Sequence, residues 1–356
     1  MDQRPPISGM DAYKARLLAL GLSAQSVEVV VAARKGTTYN RYEGYWKSFD
    51  AFCVERGLDP FSVGIGPIIA FVEACRSDKN WLFSSVKSCV SSISLFRGRL
   101  EGSTVFTHPL MDQYLKGAKK LSVQALRRPD TTWDASLVLR ALEKAPFEPM
   151  ASAEMCYVSA KLAVLLALTT AARGSELTAL TTVGLTFSGD LMVTLFPDKD
   201  FVPKTVSALT SRAPVVLHAF HPSPTTREEK RLHLSCPVRA VRVYLRRTGP
   251  VRRSTRLLVS YKTGHPGPGR AISTQRLAHW LVDGITEAYT RSGRPVPQLK
   301  AHSTRGTATS IAVLAGVDWE VIRQTAGWQG DRTFMQHYYR HTHVRSVADA
   351  VLEQAR

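Results

Sequence analysis

AHSTRGTATSIAVLAGVDWEVIRQTAGWQGDRTFMQHYYRH, residues 301–341, is the stretch on which the reading of the chain turns. Helical spacing runs over 300–316, Asp318 caps a short helix to Ala326, and Asp331 caps a last one reaching Gln354. His302 and Arg305 stand three apart, so a helix sets them on one face. A neutral imidazole beside a fixed cation suits a phosphate in transfer. Trp328 follows Gly327 at a helix end, where its indole N–H can donate one hydrogen bond. The plainer reading of Trp328 is a core aromatic. Tyr338 and Tyr339 follow. A phenol is a poor nucleophile at its usual pKa of about 10. Nearby guanidinium groups would stabilise its phenolate and make it competent. The plainer reading here is an aromatic on an amphipathic helix.

Upstream, AARGSEL at 171–177 puts Arg173 and Gly174 at a break between a helix over 153–170 and the next one. An Arg beside a helix N-terminus is placed to bind an anion, because free N–H groups and guanidinium act together. The competing reading is a structural Arg paired with Glu176. Two β segments follow, LMVTLF at 191–196 and APVVLHA at 213–219, and the turn joining them holds Lys199 and Lys204. A helix over 236–246 has Pro in its first turn, RLLVSY at 256–261 reads as a strand, and a helix covers 273–289. The first of these helices and its exit carry Arg239, Arg242, Arg246, Arg247, Arg252 and Arg253, some of which should face phosphates.

The first third is different in kind. Residues 1–35 read as loosely ordered apart from a helical pattern over 13–20. Thr37 or Thr38 then caps a helix on which Tyr39, Tyr42, Trp46, Phe49 and Cys53 recur at three and four residue spacing. Shorter helices are expected over 67–75, 81–96 and 109–121. Lys87, Arg97, Arg99, Lys116, Lys119 and Lys120 are either a phosphate-facing surface or a solvated face. LRRPDTTW at 126–133 has a Pro and no apolar period, and reads as a linker. The expected organisation is a helical domain over 36–125 and a larger domain over 134–356. The fold class is mainly α with a small antiparallel β-sheet.

The whole chain has 356 residues, with 47 Lys and Arg against 29 Asp and Glu, a net charge of +18. That length fits two domains. Both halves share the excess, which points to a polyanion: DNA, RNA or an anionic membrane surface. LAVLLAL at 162–168 is the longest apolar run, far short of a span, and no signal peptide opens the chain. The five cysteines form no C-x-x-C pair and read as reduced thiols of an intracellular protein. The histidines have no ligand partners at zinc spacing.

The ordered set Arg173, His302-x-x-Arg305, Gly327-Trp328 and Tyr338 resembles the active-site signature of the tyrosine recombinases, the phage-integrase family. The resemblance covers roughly residues 35–350, and the N-terminal half is similar to the family's SAM-like core-binding domain. FPDKDFVPK at 196–204, CPVRAVRVYL at 236–245 and GWQGDRTFMQHYY at 327–339 look most like the recombinases of DIRS-type retrotransposons. The family's usual spacing from Trp to Tyr lands on His337. One extra loop residue makes Tyr338 the match, with Tyr339 the alternative. The F-V-P-K string favours Lys204 over Lys199 as the family's hairpin lysine.

What the resemblance implies is DNA strand cleavage and rejoining through a 3′-phosphotyrosyl link, for recombination or integration of a mobile element. Tyr338 would be the nucleophile, Arg173 and Arg305 the phosphate ligands, and Lys204 the general acid. His302 would relay the tyrosine proton, and Trp328 would donate to the phosphate or pack the site. No metal, cofactor or ATP is implied. The partners would be double-stranded DNA, clamped by two domains, and further copies of the chain in a tetramer on two sites. Val344, Val347, Val351 and Leu352 form an apolar stripe that either docks on a neighbour or packs on its own chain. A nuclear location follows from the subgroup, and no membrane partner is expected, since the sequence shows neither a basic amphipathic helix nor a lipidation motif. The alternatives are a domesticated DNA-binding protein without catalysis, a type IB topoisomerase, and a basic RNA- or membrane-surface module.

Overall fold

The computed structural model describes residues 7–122, 133–203, 213–262 and 267–328. The chain divides into two compact units, Met1–Leu126 and Arg127–Arg356.

The first unit is built on α1 (Gly9–Ala19), α2 (Ala24–Ala32), α3 (Gly36–Val54), α4 (Ile65–Ser77), α5 (Phe83–Arg97) and α6 (Pro109–Leu121). Between α5 and α6, β1 (Arg99–Leu100) and β2 (Ser103–Thr104) form a minimal antiparallel pair. The aromatic stripe of α3 explains its place at the centre. Trp46, Phe49 and Cys53 are fully buried, and Trp46 meets Phe96 of α5 edge-on at 5.9 Å between ring centres. Full burial of each such ring stabilises the fold by roughly 1.5–3 kcal/mol. Ser92 Oγ donates to the Tyr42 carbonyl at 2.7 Å and ties α5 to α3.

The expectation that residues 1–35 are loosely ordered is corrected: α1 and α2 are part of this core, with Tyr13, Leu17 and Val27 buried. Beside this apolar packing, α1 is fixed by polar bonds to distant residues. Glu43 accepts from the backbone N–H groups of Gly9 and Met10 at 2.9 and 3.2 Å, filling the start of α1. Arg16 donates to the Phe96 and Leu95 carbonyls at the end of α5. Gly9 lies so close to the core that a Cβ there would sit 2.4 Å from the Phe96 ring.

The second unit contains α7 (Ala135–Leu142), α8 (Met155–Thr170), α9 (Gly174–Ala179), β3 (Leu180–Ser188), β4 (Met192–Pro197), β5 (Val215–His218), α10 (Arg227–His233), α11 (Pro237–Thr248), α12 (Thr274–Arg291), α13 (Ser303–Leu314) and α14 (Trp319–Ala326). LAVLLAL sits in α8, which is buried continuously over 158–167 and packs against α11, α12 and α13. The sheet is antiparallel in the order β3-β4-β5, with Val193 facing Leu217 and Thr186 facing Thr194. A mainly α architecture with a small antiparallel sheet is therefore what the chain adopts.

Three expectations change in this unit. Trp133, assigned to the linker, is buried and donates from Nε1 to Ser303 Oγ at 3.0 Å, so it belongs to the second core; 126–132 lie outside the described residues. RLLVSY does not make a strand. Leu257, Leu258 and Val259 are buried, but the segment pairs only through isolated bridges of Arg256 with Thr181 and Val259 with Ala271. The sequence reading also missed β3, whose outward positions and Gly184 break the strand pattern.

Several arginines expected on phosphates are committed inside the fold. Arg239 is paired with Glu148, Arg247 donates to the Met150 and Ala153 carbonyls, and Arg252 to those of Arg256 and Leu257. Arg97 donates to the Val63 carbonyl. Arg246, Arg253, Lys87, Arg99, Lys116, Lys119 and Lys120 stay exposed, and Lys116 is bonded to Asp112 at 2.6 Å. Among the described residues, no helix is long and apolar enough to cross a membrane.

Candidate active site

The site grows from the break after α8. Ala171 ends that helix in the left-handed region (φ 48°, ψ 22°), which turns the chain so that Arg173 becomes the N-cap of α9. Glu176, three residues on, accepts from the Arg173 backbone N–H at 2.7 Å and from Arg173 Nη1 at 2.7 Å. The i,i+3 spacing of a capping box was therefore present in AARGSEL. The structural reading of Arg173 is correct as far as this pair goes. The pair also fixes the guanidinium at the wall of a cleft of about 310 Å³.

Arg305 comes to the same place from α13. It is 1% exposed, and its Nη1 donates to the Ala171 carbonyl at 2.8 Å while Nη2 donates to the Ala326 carbonyl. Arg305 Nη1 also lies 3.9 Å from Glu176 Oε2. One carboxylate thus stands between two guanidinium groups that are far apart in sequence. Its two oxygens face one arginine each.

Trp328 completes this corner. It follows Gly327, which caps α14 in the left-handed region (φ 60°, ψ 43°), a conformation that favours glycine. The Trp328 ring is 5% exposed, lies 5.0 Å from the Arg305 guanidinium and stacks on Trp319 at 6.0 Å. It is both a core aromatic and the cover of the Arg305 charge.

His302 is at the N-cap of α13 and exposed, whereas Arg305 is buried. The expected shared face places the two on one end of the helix but in opposite environments. Lys199 is exposed in the turn after β4. Lys204, Tyr338, Tyr339 and the stripe from Val344 to Leu352 lie outside the described residues.

Of these parts the cleft is lined by Arg173 and its partner Glu176, while Arg305 and Trp328 are buried beside it. Arg173 and Glu176 line it from α9, Pro197, Phe201 and Pro203 from the turn after β4, and Gln324–Gly327 from the end of α14. Sequence reasoning had not singled out Phe201, Pro203 or the carbonyls of Ala171 and Ala326. Backbone acceptors carry no residue-type signal. Among the described residues, no group of His, Cys, Asp or Glu could hold a metal ion.

Replacing Arg305 by lysine keeps the charge and loses the fork. A lysine cannot reach both the Ala171 and Ala326 carbonyls, so one is left buried and unbonded. The expected loss of stability is about 1–3 kcal/mol. Chemical denaturation of Arg305→Lys against the native chain measures it, and an unchanged midpoint would refute it.

No protein-family model and no curated protein sequence matches the chain. Solved structures do. The chain is similar to the Tn1549 transposon integrase in complex with transposon right end DNA, at 12% identity, covering 98% of this chain and 99% of that one, with a TM-score of 0.56. It is similar to the XerH site-specific recombinase bound to palindromic difH substrate, at 12% identity, covering 93% and 82%, with a TM-score of 0.55. It is also similar to a lambda integrase dimer bound to a COC′ core site, at 15% identity, covering 96% and 98%, with a TM-score of 0.54. The fold is that of the tyrosine recombinases and integrases.

Proposed function

We propose that the chain is a tyrosine recombinase that cleaves and rejoins duplex DNA at specific sites through a 3′-phosphotyrosyl intermediate. The observation that carries this reading is Arg173, fixed by Glu176 on the wall of one cleft, with the buried Arg305 3.9 Å from the same carboxylate. A preset guanidinium on the cleft wall suits a phosphodiester as charge builds on its non-bridging oxygens, and Arg305, buried behind Glu176, adds to the positive field. Arg173 spends Nη1 on Glu176. A guanidinium has five N–H donors, so a further edge serves the phosphate.

In the reaction, the Tyr338 phenolate forms a bond to phosphorus as the P–O5′ bond breaks. The hairpin lysine, Lys204 or Lys199, gives its proton to the departing 5′-oxygen. His302 takes or relays the phenol proton, and Trp328 packs the phosphate site. The phosphotyrosyl bond keeps the energy of the phosphodiester, so a second 5′-hydroxyl can reverse the step without ATP. The DNA-bound complexes of the similar structures support a duplex partner. The dimer form of lambda integrase supports assembly of several copies. The DIRS-like strings extend the reading to a mobile element recombined in the nucleus, by a tetramer of this chain on two sites.

The test uses a duplex library with a nicked crossover between randomised half-sites. The nick lets the short cleaved strand diffuse away and traps any covalent complex. The native chain is expected to yield adducts that survive SDS, with recovered sequences converging on one site. Binding should weaken steeply with salt, since backbone phosphates dominate affinity. Convergent binding without any adduct would reduce the chain to a DNA-binding protein. Supercoil relaxation without junction formation would assign it a topoisomerase activity instead.

A further inference from the structure

We propose that the ion pair between Asp198 and Arg256 positions the general acid of strand cleavage, by tying the lysine-bearing turn to the helix that presents Arg173. The inference rests on the DNA-cleavage reading above and deepens it.

The turn leaves β4 at Asp198. This residue anchors it in several ways at once. Its backbone N–H donates to the Ala179 carbonyl at 2.8 Å, and its carbonyl accepts from the Phe201 N–H at 3.0 Å, closing the turn. Its Oδ1 accepts from the Asp200 N–H at 3.0 Å. Its Oδ2 faces Arg256 Nη2 at 3.3 Å. Arg256 in turn donates from Nη1 to the same Ala179 carbonyl at 3.0 Å. Both partners are partly buried, with side chains 22% and 30% exposed, so the pair is shielded from full solvent screening.

Ala179 is the last residue of α9, and Arg173 is the N-cap of the same helix. A helix of 6 residues is short and stiff. The C-terminal carbonyl that receives Asp198 and Arg256 is therefore held in fixed register with the Arg173 guanidinium. Beyond the pair, Phe201 and Pro203 line the Arg173 cleft. Lys199 stands inside this anchored turn, and Lys204 follows Pro203 directly in sequence. Asp198 touches neither phosphate nor tyrosine in this scheme. It acts through the turn and is a positioning residue.

Leaving-group chemistry separates positioning from general structural support. With an ordinary substrate, the P–O5′ bond breaks as the lysine ammonium gives its proton to O5′. With sulfur in place of the 5′-bridging oxygen, the P–S bond breaks and a thiolate leaves unprotonated, because thiols ionise at a pKa of about 8.5. That substrate needs no general acid.

The experiment compares the native chain with Asp198→Ala and Arg256→Ala on the selected nicked duplex, once with the oxygen and once with the sulfur bridge. On oxygen, adduct formation by either variant is expected to slow by about 10²-fold, the scale of a lost acid–base contribution. On sulfur, both should match the native chain within a few-fold, as should Lys204→Ala or Lys199→Ala, whichever removes the acid. Asp198→Glu should recover part of the oxygen rate. If Asp198→Ala does not fold, Asp198→Asn keeps the acceptor for the Asp200 N–H and removes only the charge. Equal slowing on both substrates, or no slowing on oxygen, would overturn the inference while leaving the recombinase reading intact. No adduct from the native chain on either substrate would instead overturn that reading.

Discussion

Tyr338→Phe is expected to form no phosphotyrosyl adduct, while Tyr339→Phe forms it at close to the native rate. The substitution removes one oxygen and keeps the ring, so packing around the side chain changes little. The oxygen is the atom that bonds to phosphorus, and no neighbouring group replaces it. The loss should be at least about 10⁴-fold, the scale on which removal of a covalent nucleophile falls. Binding to the same duplex should be unchanged, because affinity comes from phosphate contacts spread over the protein. The outcome that moves the nucleophile by one residue is the reverse pattern, with the adduct surviving in Tyr338→Phe and lost in Tyr339→Phe. A phenol ionises at about pH 10, so native cleavage should accelerate as pH rises from neutrality, until the proton needed on the lysine is lost. With the 5′-sulfur substrate the acid is dispensable, and the alkaline fall should disappear.

The candidate signature residues stand out by side-chain type and order, and the structure brings Arg173, Arg305 and Trp328 close together. Arg173, His302, Arg305 and Trp328 could be picked from the sequence, and the helices around them followed from apolar spacing. The supports of the site were not legible in the same way. Arg305 is held by the carbonyls of Ala171 and Ala326, which any residue could supply. Ala171 adopts a left-handed conformation that no glycine advertised. Asp198 and Arg256 meet across a distance in sequence that no local pattern spans. Of the N-terminal helices only the stretch over 13–20 shows in the sequence, and the start of α1 is held by Glu43, which no local pattern shows. The arginines of α11 and its exit could not be sorted from the sequence. Charge points only to a polyanion and to some of these side chains, and Arg239 and Arg247 are occupied within the fold while Arg246 and Arg253 are exposed.

Glu148→Ala is expected to be the most damaging single change to the second unit, costing about 3–5 kcal/mol. Glu148 is 8% exposed and serves two cations at once. Lys161 Nζ reaches its Oε1 at 2.5 Å, and Arg239 grips both oxygens at 2.7 and 2.9 Å. Lys161 is fully buried in the middle of α8 and also donates to the Leu142 carbonyl at 2.6 Å. Removing the carboxylate strands the buried Lys161 charge in a low-dielectric core and takes the ion-pair partner from the partly exposed Arg239. Lys161→Met should behave differently. It removes the costliest buried charge and leaves Glu148 with its two-pronged Arg239 partner, so its effect should stay within about 1 kcal/mol.

The two groups respond to pH in the same sense but in different windows, since both are held below their ordinary pKa and each makes stability rise with pH. Burial pushes the Lys161 ammonium down to about 8, against partial support from Glu148. Between that value and the ordinary 10.5, the unfolded chain binds more protons than the folded one, so this group makes stability rise with pH across the window. For Glu148, burial pushes the carboxyl up, but the Arg239 and Lys161 bonds outweigh it and hold the group below its ordinary value. Its contribution is therefore present above the unfolded carboxyl pKa and is lost as pH falls through the folded one. Denaturation of the native chain and both variants across acid, neutral and alkaline buffers reads all of this. The alkaline rise should vanish in Lys161→Met, and the acid loss should shrink in Glu148→Ala. A Glu148→Ala chain as stable as Lys161→Met at neutral pH would mean that α8 tolerates its buried cation without this carboxylate.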